Sequence, residues 1–370
     1  KSDPWTLGEL LIEDDEGEII NNVVVERLEE KLGIHASVTC TLAYDDSVAE
    51  LIGERGQGFK LMLMLMNNAR LGVSFEGIGL IENAYRLAKE YAAERKSMGK
   101  TIDQHEMIAD YLEKMDVGLR GLRAMAFDAV RAVELSSRLE VQLGFDPPLD
   151  EAERKSLERR MKKYQRRARD LTPLLKYLAS EKAVEFSQLS MQIHGGVGYT
   201  KEFEVEKLVR DALVLPIYEG TSQIQSLMAL KDSLGLVMKD PGRFVRRLAA
   251  ARVASLSARD PMERLIGKLE SMKYGAMQHI ITKITKGKLQ QVSQRKITEW
   301  SSAIKEWDPK RDFAFGMLHA ERLCRMMAEV EICKILVAQA ARYPEREELA
   351  EAYLERAVPE ITYLHDQIMT

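Results

Sequence analysis

Apolar residues recur every three or four positions over most of the 370-residue chain, a spacing that puts them on one face of a helix. Leu61, Leu65, Leu71, Phe75, Ile78, Ile81 and Ala84 predict a long helix over 59–94. Ile108, Leu112, Met115, Leu119, Leu122, Ala126 and Val133 predict a second over 103–139, with Asp103 and Glu106 reading as a capping box. Asp146-Pro147-Pro148 breaks the pattern. Thr172-Pro173 reads as a helix start, threonine as N-cap and proline in the first turn. Leu174, Leu178, Phe186 and Leu189 carry that helix through Gln192. The pair Gly195-Gly196 stops it, because glycine takes a left-handed backbone without a Cβ clash. A short helical segment and the apolar run over 213–218 follow. They end at Glu219-Gly220-Thr221, with another helix starting near Thr221. Glu219 therefore sits where regular structure stops, beside a glycine that lets another group approach the backbone.

The two ends of the chain read differently. Residues 22–27 and 36–44 are rich in Val and Thr, between Asp-Asp and Gly punctuation, so 1–54 read as strands and turns. After Ser233, Asp240-Pro241-Gly242 reads as a link. Helical patterning then resumes over 265–286, 296–306, 313–343 and 345–368.

Composition narrows the function classes. The length allows two or more domains. A net charge of −4 gives no general attraction to nucleic acid or an anionic membrane. The 18 methionines read mostly as core filler. Cys40, Cys324 and Cys333 have no metal-ligand spacing, and a reducing compartment is the default. No apolar run is long enough to span a bilayer. The sequence starts at Lys1, which leaves room for a lost signal or transit peptide. Gly53-Glu54-Arg55-Gly56-Gln57-Gly58 lacks the spacing and the strand–turn–helix frame of a dinucleotide fingerprint. From Arg154 to Arg169, nine basic residues face one acid, Glu158. Such a run reads first as a solvated helix face; CoA phosphates, an anionic partner or DNA are the sharper alternatives. Residues 265–288 have a basic amphipathic character, a weak signal for contact with a membrane surface.

Three blocks carry a family signature: QIHGGVGYT over 192–200, VEKLVRDA over 205–212 and IYEGTSQIQ over 217–225. In this order and spacing they resemble the C-terminal domain of the acyl-CoA dehydrogenases. Upstream, KLGIHASVTCTLAYDD over 31–46 is similar to the end of that family's middle β-domain. FKLMLMLMNNARLG over 59–72 is similar to its first long helix. The resemblance covers 20–230 and, weakly, the remainder. It implies a mainly α fold: a remnant of the middle β-domain over 1–54, a flavin- and substrate-binding helical bundle over 55–232, and an appended helical domain over 233–370. The family's N-terminal helical domain and the front of its β-domain have no counterpart in this sequence, so a fragment or one piece of a split polypeptide is expected. The insertion at 151–170 and the extension are similar to those of 3-methylmercaptopropionyl-CoA and long-chain type members. The extension is expected to cover an apolar surface of the bundle.

The resemblance also implies a chemistry, FAD-dependent α,β-desaturation of an acyl-CoA thioester. Glu219 would be the base for the α-proton, and its own N–H one donor to the thioester oxygen. A flavin ribityl hydroxyl would be the other donor. Arg70, Tyr218 and Gly220 would lie on the substrate side. Some branches of the family carry the catalytic acid on this first helix; here the segment Asn67-Asn68-Ala69-Arg70 has no carboxylate, which supports Glu219 as the base the resemblance implies. Arg95 and Ser97 would hold the FAD pyrophosphate of a neighbouring subunit, with Met98 where phenylalanine is usual. Gln192, Gly195 and Gly196 would meet the partner's FAD, and Thr221 and Gln223 their own. Glu106 stands where a flavin-contacting glutamine is frequent and reads as structural, as does His194. The implied assembly is a homodimer or dimer of dimers, without a metal. The implied electron acceptor is electron-transfer flavoprotein, in fatty acid β-oxidation. The implied compartment is the bacterial cytoplasm, or the mitochondrial matrix if the source is eukaryotic. Two alternatives stand beside this reading. One is a DNA-binding flavoprotein like the alkylation-response branch, with the run from Arg154 to Arg169 as its DNA surface. The other is a non-catalytic assembly subunit. Nucleic acid is absent from the preferred reading.

Overall fold

The computed structural model describes residues 10–14, 17–294 and 308–370. Two compact units divide it, Lys1–Asn67 and Asn68–Thr370. In the first, β1 (Leu10–Asp14) and β2 (Gly17–Asn21) pair antiparallel, as do β3 (Val23–Leu28) and β4 (Cys40–Tyr44). A bulge lies between Val25 and Arg27. The strand expected from residue 36 begins only at Cys40. Ile34 adopts φ 50° and accepts a hydrogen bond from the Ser37 N–H, so 34–37 form a turn despite their β-prone composition.

Helix α1 (Gly58–Glu94) has the predicted length, with two different halves. From Val73 onward its apolar face is buried at Ile78, Ile81, Ala84 and Ala88. Leu61 and Leu65, expected on the same buried face, are exposed, Leu65 at 71%. Periodicity says which residues share a face; only a packed neighbour buries them, and no described element covers these two.

In the second unit α2 (Glu106–Phe145) buries Met115, Leu119, Leu122 and Ala126, as its spacing predicts. The expected capping box is absent: Asp103 lies in a 3-10 turn, and His105 occupies the N-cap without a side-chain bond. Helix α3 (Glu151–His194) runs straight through Thr172-Pro173. Asp150 is its true N-cap, accepting from the N–H groups of Ala152 and Glu153. Thr172 donates instead to the Ala168 carbonyl. Leu171, Leu174 and Leu175 are buried on both sides of the proline, so packing holds the helix through the lost N–H bond. Helices α4 (Val205–Ala212) and α5 (Ser222–Lys239) complete the family-like bundle.

Asp240-Pro241 proves to be a helix start. Asp240 caps the Arg243 N–H at 2.8 Å, and Pro241 opens α6 (Pro241–Ser257). Then come α7 (Pro261–Ser293), α8 (Pro309–Asp312), α9 (Ala314–Leu318), α10 (Ala320–Ala340) and α11 (Glu347–Met369). The helix expected over 296–306 lies outside the described residues. The one expected over 313–343 is broken at His319, between α9 and α10.

One apolar core runs from Val73 to Ile368, so the appended helices share it with the bundle. Glu329 on α10 is buried at its edge and accepts a 2.6 Å bond from the Tyr353 hydroxyl on α11. The closest approach is at Gly121 on α2, where a Cβ would collide with the Tyr353 ring and meet Ile332 at 3.0 Å. Gly121→Val should therefore destabilise the fold by about 1–3 kcal/mol through overpacking. Thermal unfolding measures it; an unchanged melting temperature would show that α2 and α11 tolerate a wider spacing.

Candidate active site

The loop between α4 and α5 brings Glu219 into place. Tyr218 N–H donates to the Val214 carbonyl, and Ser222 N–H reaches back to the Pro216 carbonyl at 2.9 Å. Closing so tight a turn puts Glu219 at φ 54° and Gly220 at φ 90°. The first is uncommon for a residue with a Cβ and persists only where its surroundings enforce it. Gly220 has a second constraint, because a Cβ there would lie 2.7 Å from the Gln225 amide nitrogen.

Three side chains provide the enforcement. Lys176 on α3 is wholly buried and donates to the carbonyls of Leu215 (2.8 Å) and Gly220 (2.9 Å). Gln225 on α5 donates to the Gly220 carbonyl at 3.2 Å and the Glu219 carbonyl at 3.4 Å. Arg70 on α1, 3% exposed, also donates to the Glu219 carbonyl at 3.4 Å. Every bond to Glu219 uses its carbonyl. Its N–H donates no hydrogen bond to a described residue, and its half-buried carboxylate accepts none from one. One residue thus presents a free anion and a free donor, on a backbone that three neighbours hold still.

The electrostatics suit a charged group at this place. Desolvation depresses the Arg70 guanidinium, and the Glu219 carboxylate partly restores it. Burial brings the Lys176 ammonium down to about 8, with Glu181 and Glu219 opposing that shift and Arg70 adding to it. Tyr218 donates its hydroxyl to Glu76 on α1, and burial followed by that bond pushes the phenol upward. Tyr218 is therefore fixed beside Glu219 by a bond the sequence did not announce.

The expected cofactor residues form a second group. Arg95 follows the end of α1, and Ser97 lies on β5 (Lys96–Ser97), paired with β6 (Lys100–Thr101). Met98 turns this hairpin at φ 49° and is 94% exposed. Gln192 is exposed at the end of α3, and Gly195 caps that helix at φ 64°. The ends of α1 and α3 meet through an aromatic cluster: Tyr91 on α1 stacks on His194 at 4.4 Å, and Phe203 stands edge-on to both. His194 Nδ1–H donates to the Ser190 carbonyl, and burial lowers its basicity. Arg95, Ser97 and Gln192 make no side-chain hydrogen bond to a described residue. Around Gly195 and Gly196 a Cβ would meet open space. These residues form an exposed, donor-rich ledge beside two glycines, which fits a phosphate-bearing cofactor lying over it.

Thr221 and Gln223 are placed differently. The Thr221 hydroxyl caps α5 by accepting the Ile224 N–H at 3.3 Å. The Gln223 amide donates to Glu321 on α10 at 3.1 Å. Both are next to Glu219 in the chain, and both are engaged within the chain. Glu106 opens α2, is exposed, and lies 3.9 Å from the Lys100 ammonium instead of closing a capping box. Among the described residues no group of His, Cys, Asp and Glu could hold a metal, and no helix is long and apolar enough to cross a membrane.

Residues 56–142 and 151–234 match the family model for the acyl-CoA dehydrogenase C-terminal domain. The interruption falls at the Asp146-Pro147-Pro148 break, and the match contains the Glu219 loop and the Arg95 ledge. Over these residues the chain is similar to the acyl-CoA dehydrogenases. A 3-methylmercaptopropionyl-CoA dehydrogenase from Ruegeria pomeroyi is 37% identical over 233 residues, 60% of this chain and 36% of that protein. An acyl-CoA dehydrogenase complexed with FAD from Bacillus anthracis shares the fold, with TM-score 0.71 and 18% identity over 94% of this chain and 57% of that one. Caenorhabditis elegans ACDH-11 in complex with C11-CoA gives TM-score 0.65 and 23% identity over 93% and 51%. The chain spans about a third to a half of the length of the curated relatives it matches. The two structural matches extend over the appended helices, so the extension is part of a known arrangement.

Sequence reasoning missed Lys176, Gln225 and Glu76. Lys176 left a trace, being a cation among Leu174, Leu175 and Leu178 on an otherwise apolar helix face. Gln225 left none, since a glutamine one turn into a helix is ordinary.

Proposed function

We propose that the complete protein is an FAD-dependent acyl-CoA dehydrogenase with Glu219 as the base for the substrate α-proton. The free carboxylate and free N–H of Glu219 on its clamped loop carry the reading. The carboxylate would take the proton while the N–H donates to the thioester oxygen, where negative charge grows. Arg70 and Lys176 act by fixing the loop and balancing its charge. Tyr218 and Gly220 would border the thioester. Bound FAD would supply the hydride acceptor at the β-carbon. Arg95, Ser97, Gln192, Gly195 and Gly196 would hold it from the partner subunit of a homodimer. Thr221 and Gln223 would sit near it on their own subunit, with Thr221 also ending the loop. Electrons would pass to electron-transfer flavoprotein in fatty acid β-oxidation. We assign the protein to the bacterial cytoplasm, or to the mitochondrial matrix in a eukaryote. The domain division at 54/55 and 232/233 belongs to the same proposal, the shared core making the last segment a buttress of the bundle.

The test is the visible spectrum of the complete protein before and after anaerobic addition of a panel of acyl-CoAs. The expected protein is yellow and bleaches with one class of thioester. A yellow protein that no acyl-CoA reduces would refute the reading. Arg95→Ala should weaken FAD binding about 10- to 100-fold, the worth of one charge-assisted hydrogen bond. The flavin-to-protein ratio after gel filtration reports it; a full complement would remove Arg95 from the cofactor site.

A further inference from the structure

A cleft of about 680 Å³ lies between α3, α5, α6, α7 and α10. No residue of the Glu219 loop or of the Arg95 ledge lines it. Its volume is that of a small-ligand site. The floor is apolar and buried at Leu174, Ala229, Ala251 and Met277. On one wall Phe244 stands edge-on to Tyr274 at 5.8 Å.

The charged lining is uneven. Some cations are spent within the protein: Arg167 on Asp128 and Glu331, Arg169 on Asp232, Lys273 and Lys334 on Glu270. Arg166, Lys239, Arg243 and Arg247 also line the cleft, are exposed, and enter no ion pair or side-chain hydrogen bond with a described residue. Arg166 belongs to the basic run that the Glu219 site leaves unused. The other three come from the end of α5 and from α6. Asp170 and Asp240 also line the cleft, Asp170 under the attraction of Arg166, but the four cations outnumber these two carboxylates, and an anion at the opening would relieve the remaining repulsion. A bare anion would use the cations and leave the apolar floor wet. A ligand with both a charged head and a hydrocarbon chain matches both surfaces.

We infer that this cleft binds an amphiphilic anion, an acyl chain with a carboxylate or phosphate-bearing head, at a site separate from the Glu219 loop. The chain lies over Leu174, Ala251 and Met277, and the head meets Arg166, Lys239, Arg243 and Arg247. A free fatty acid and an acyl-CoA share this chemistry, and competition separates them.

The experiment titrates the complete protein with cis-parinarate, a fluorescent fatty carboxylate. Saturable binding is expected, displaced by palmitate if free fatty acids are the source and by palmitoyl-CoA alone if the thioester is. The double variant Arg166→Glu/Arg247→Glu should bind about tenfold more weakly, as two reversed charges at an exposed opening imply. Both changed residues are exposed and enter no ion pair with a described residue, so thermal unfolding of the double variant should stay close to the parent, Arg166 losing only its attraction to Asp170. Should it not, the unmodified protein gives a second readout, since higher ionic strength must weaken the probe. Unchanged affinity in the folded double variant, salt-independent binding, no saturable binding, or displacement by inorganic phosphate as readily as by palmitate would each overturn the proposal.

Discussion

Glu219→Gln should leave the protein folded and yellow while slowing its reduction by acyl-CoA by about 10⁴-fold, the upper range for loss of a positioned general base. Glutamine matches the shape of glutamate, and the clamp from Arg70, Gln225 and Lys176 acts on carbonyls that the change does not touch. The N–H of residue 219 also stays in place. The variant therefore separates proton removal from oxygen stabilisation: affinity for a substrate analogue should persist while turnover is lost. Stopped-flow anaerobic reduction gives the rate, and the melting temperature shows whether the loop survived. Reduction at the parent rate would move the base to another carboxylate, and Glu76, already bonded to Tyr218, would be the first to examine.

Lys176→Met should cost both stability and rate. Methionine keeps the apolar stem and removes the ammonium, which leaves the Leu215 and Gly220 carbonyls without their donor. A buried acceptor left unpaired costs about 1–3 kcal/mol. The loop should relax, and displacing Glu219 by as little as an ångström is enough for about 100-fold in rate. A pH signature marks the lysine as a positioning group. Its folded pKa is about 8 against an ordinary 10.5, so between these values the unfolded chain holds a proton that the folded one has released. Unfolding then takes up a proton, and stability rises with pH across that window, by up to about 3 kcal/mol from this group. Below pH 8 both states are protonated and the group's penalty is constant. Denaturant unfolding from pH 7 to 10.5 should show this rise in the parent and not in Lys176→Met. Equal slopes would show that the ammonium keeps its proton in the fold.

The helices were legible wherever apolar spacing was long and regular. Helix α2 and the second half of α1 bury the faces their sequences mark, because a 3.6-residue repeat has one orientation that hides it. Local signals misled where two readings share the same letters. Thr172-Pro173 and Asp240-Pro241 both look like helix starts or links. Asp240 caps a helix because its carboxylate meets a free N–H at the start of α6. Thr172 does not, because α3 had already begun at Asp150 and packing on both sides carried it through the proline. Glu219 was found through the blocks around it, whereas Lys176 and Gln225 needed the fold, being brought to the loop from 39 or more residues away and from the following helix respectively.

The sequence by itself determined the helical character, the family resemblance and the candidate base, since these rest on local periodicity and on contiguous motifs. The tertiary structure decided which carbonyls clamp the loop, that Thr221 and Gln223 are engaged within the chain, and that the appended helices share one core with the bundle. It also decided that four cations from α3, α5 and α6 meet around one cleft. Each of these depends on groups distant in sequence arriving within a few ångströms, and hydrogen bonds and ion pairs act only at that range.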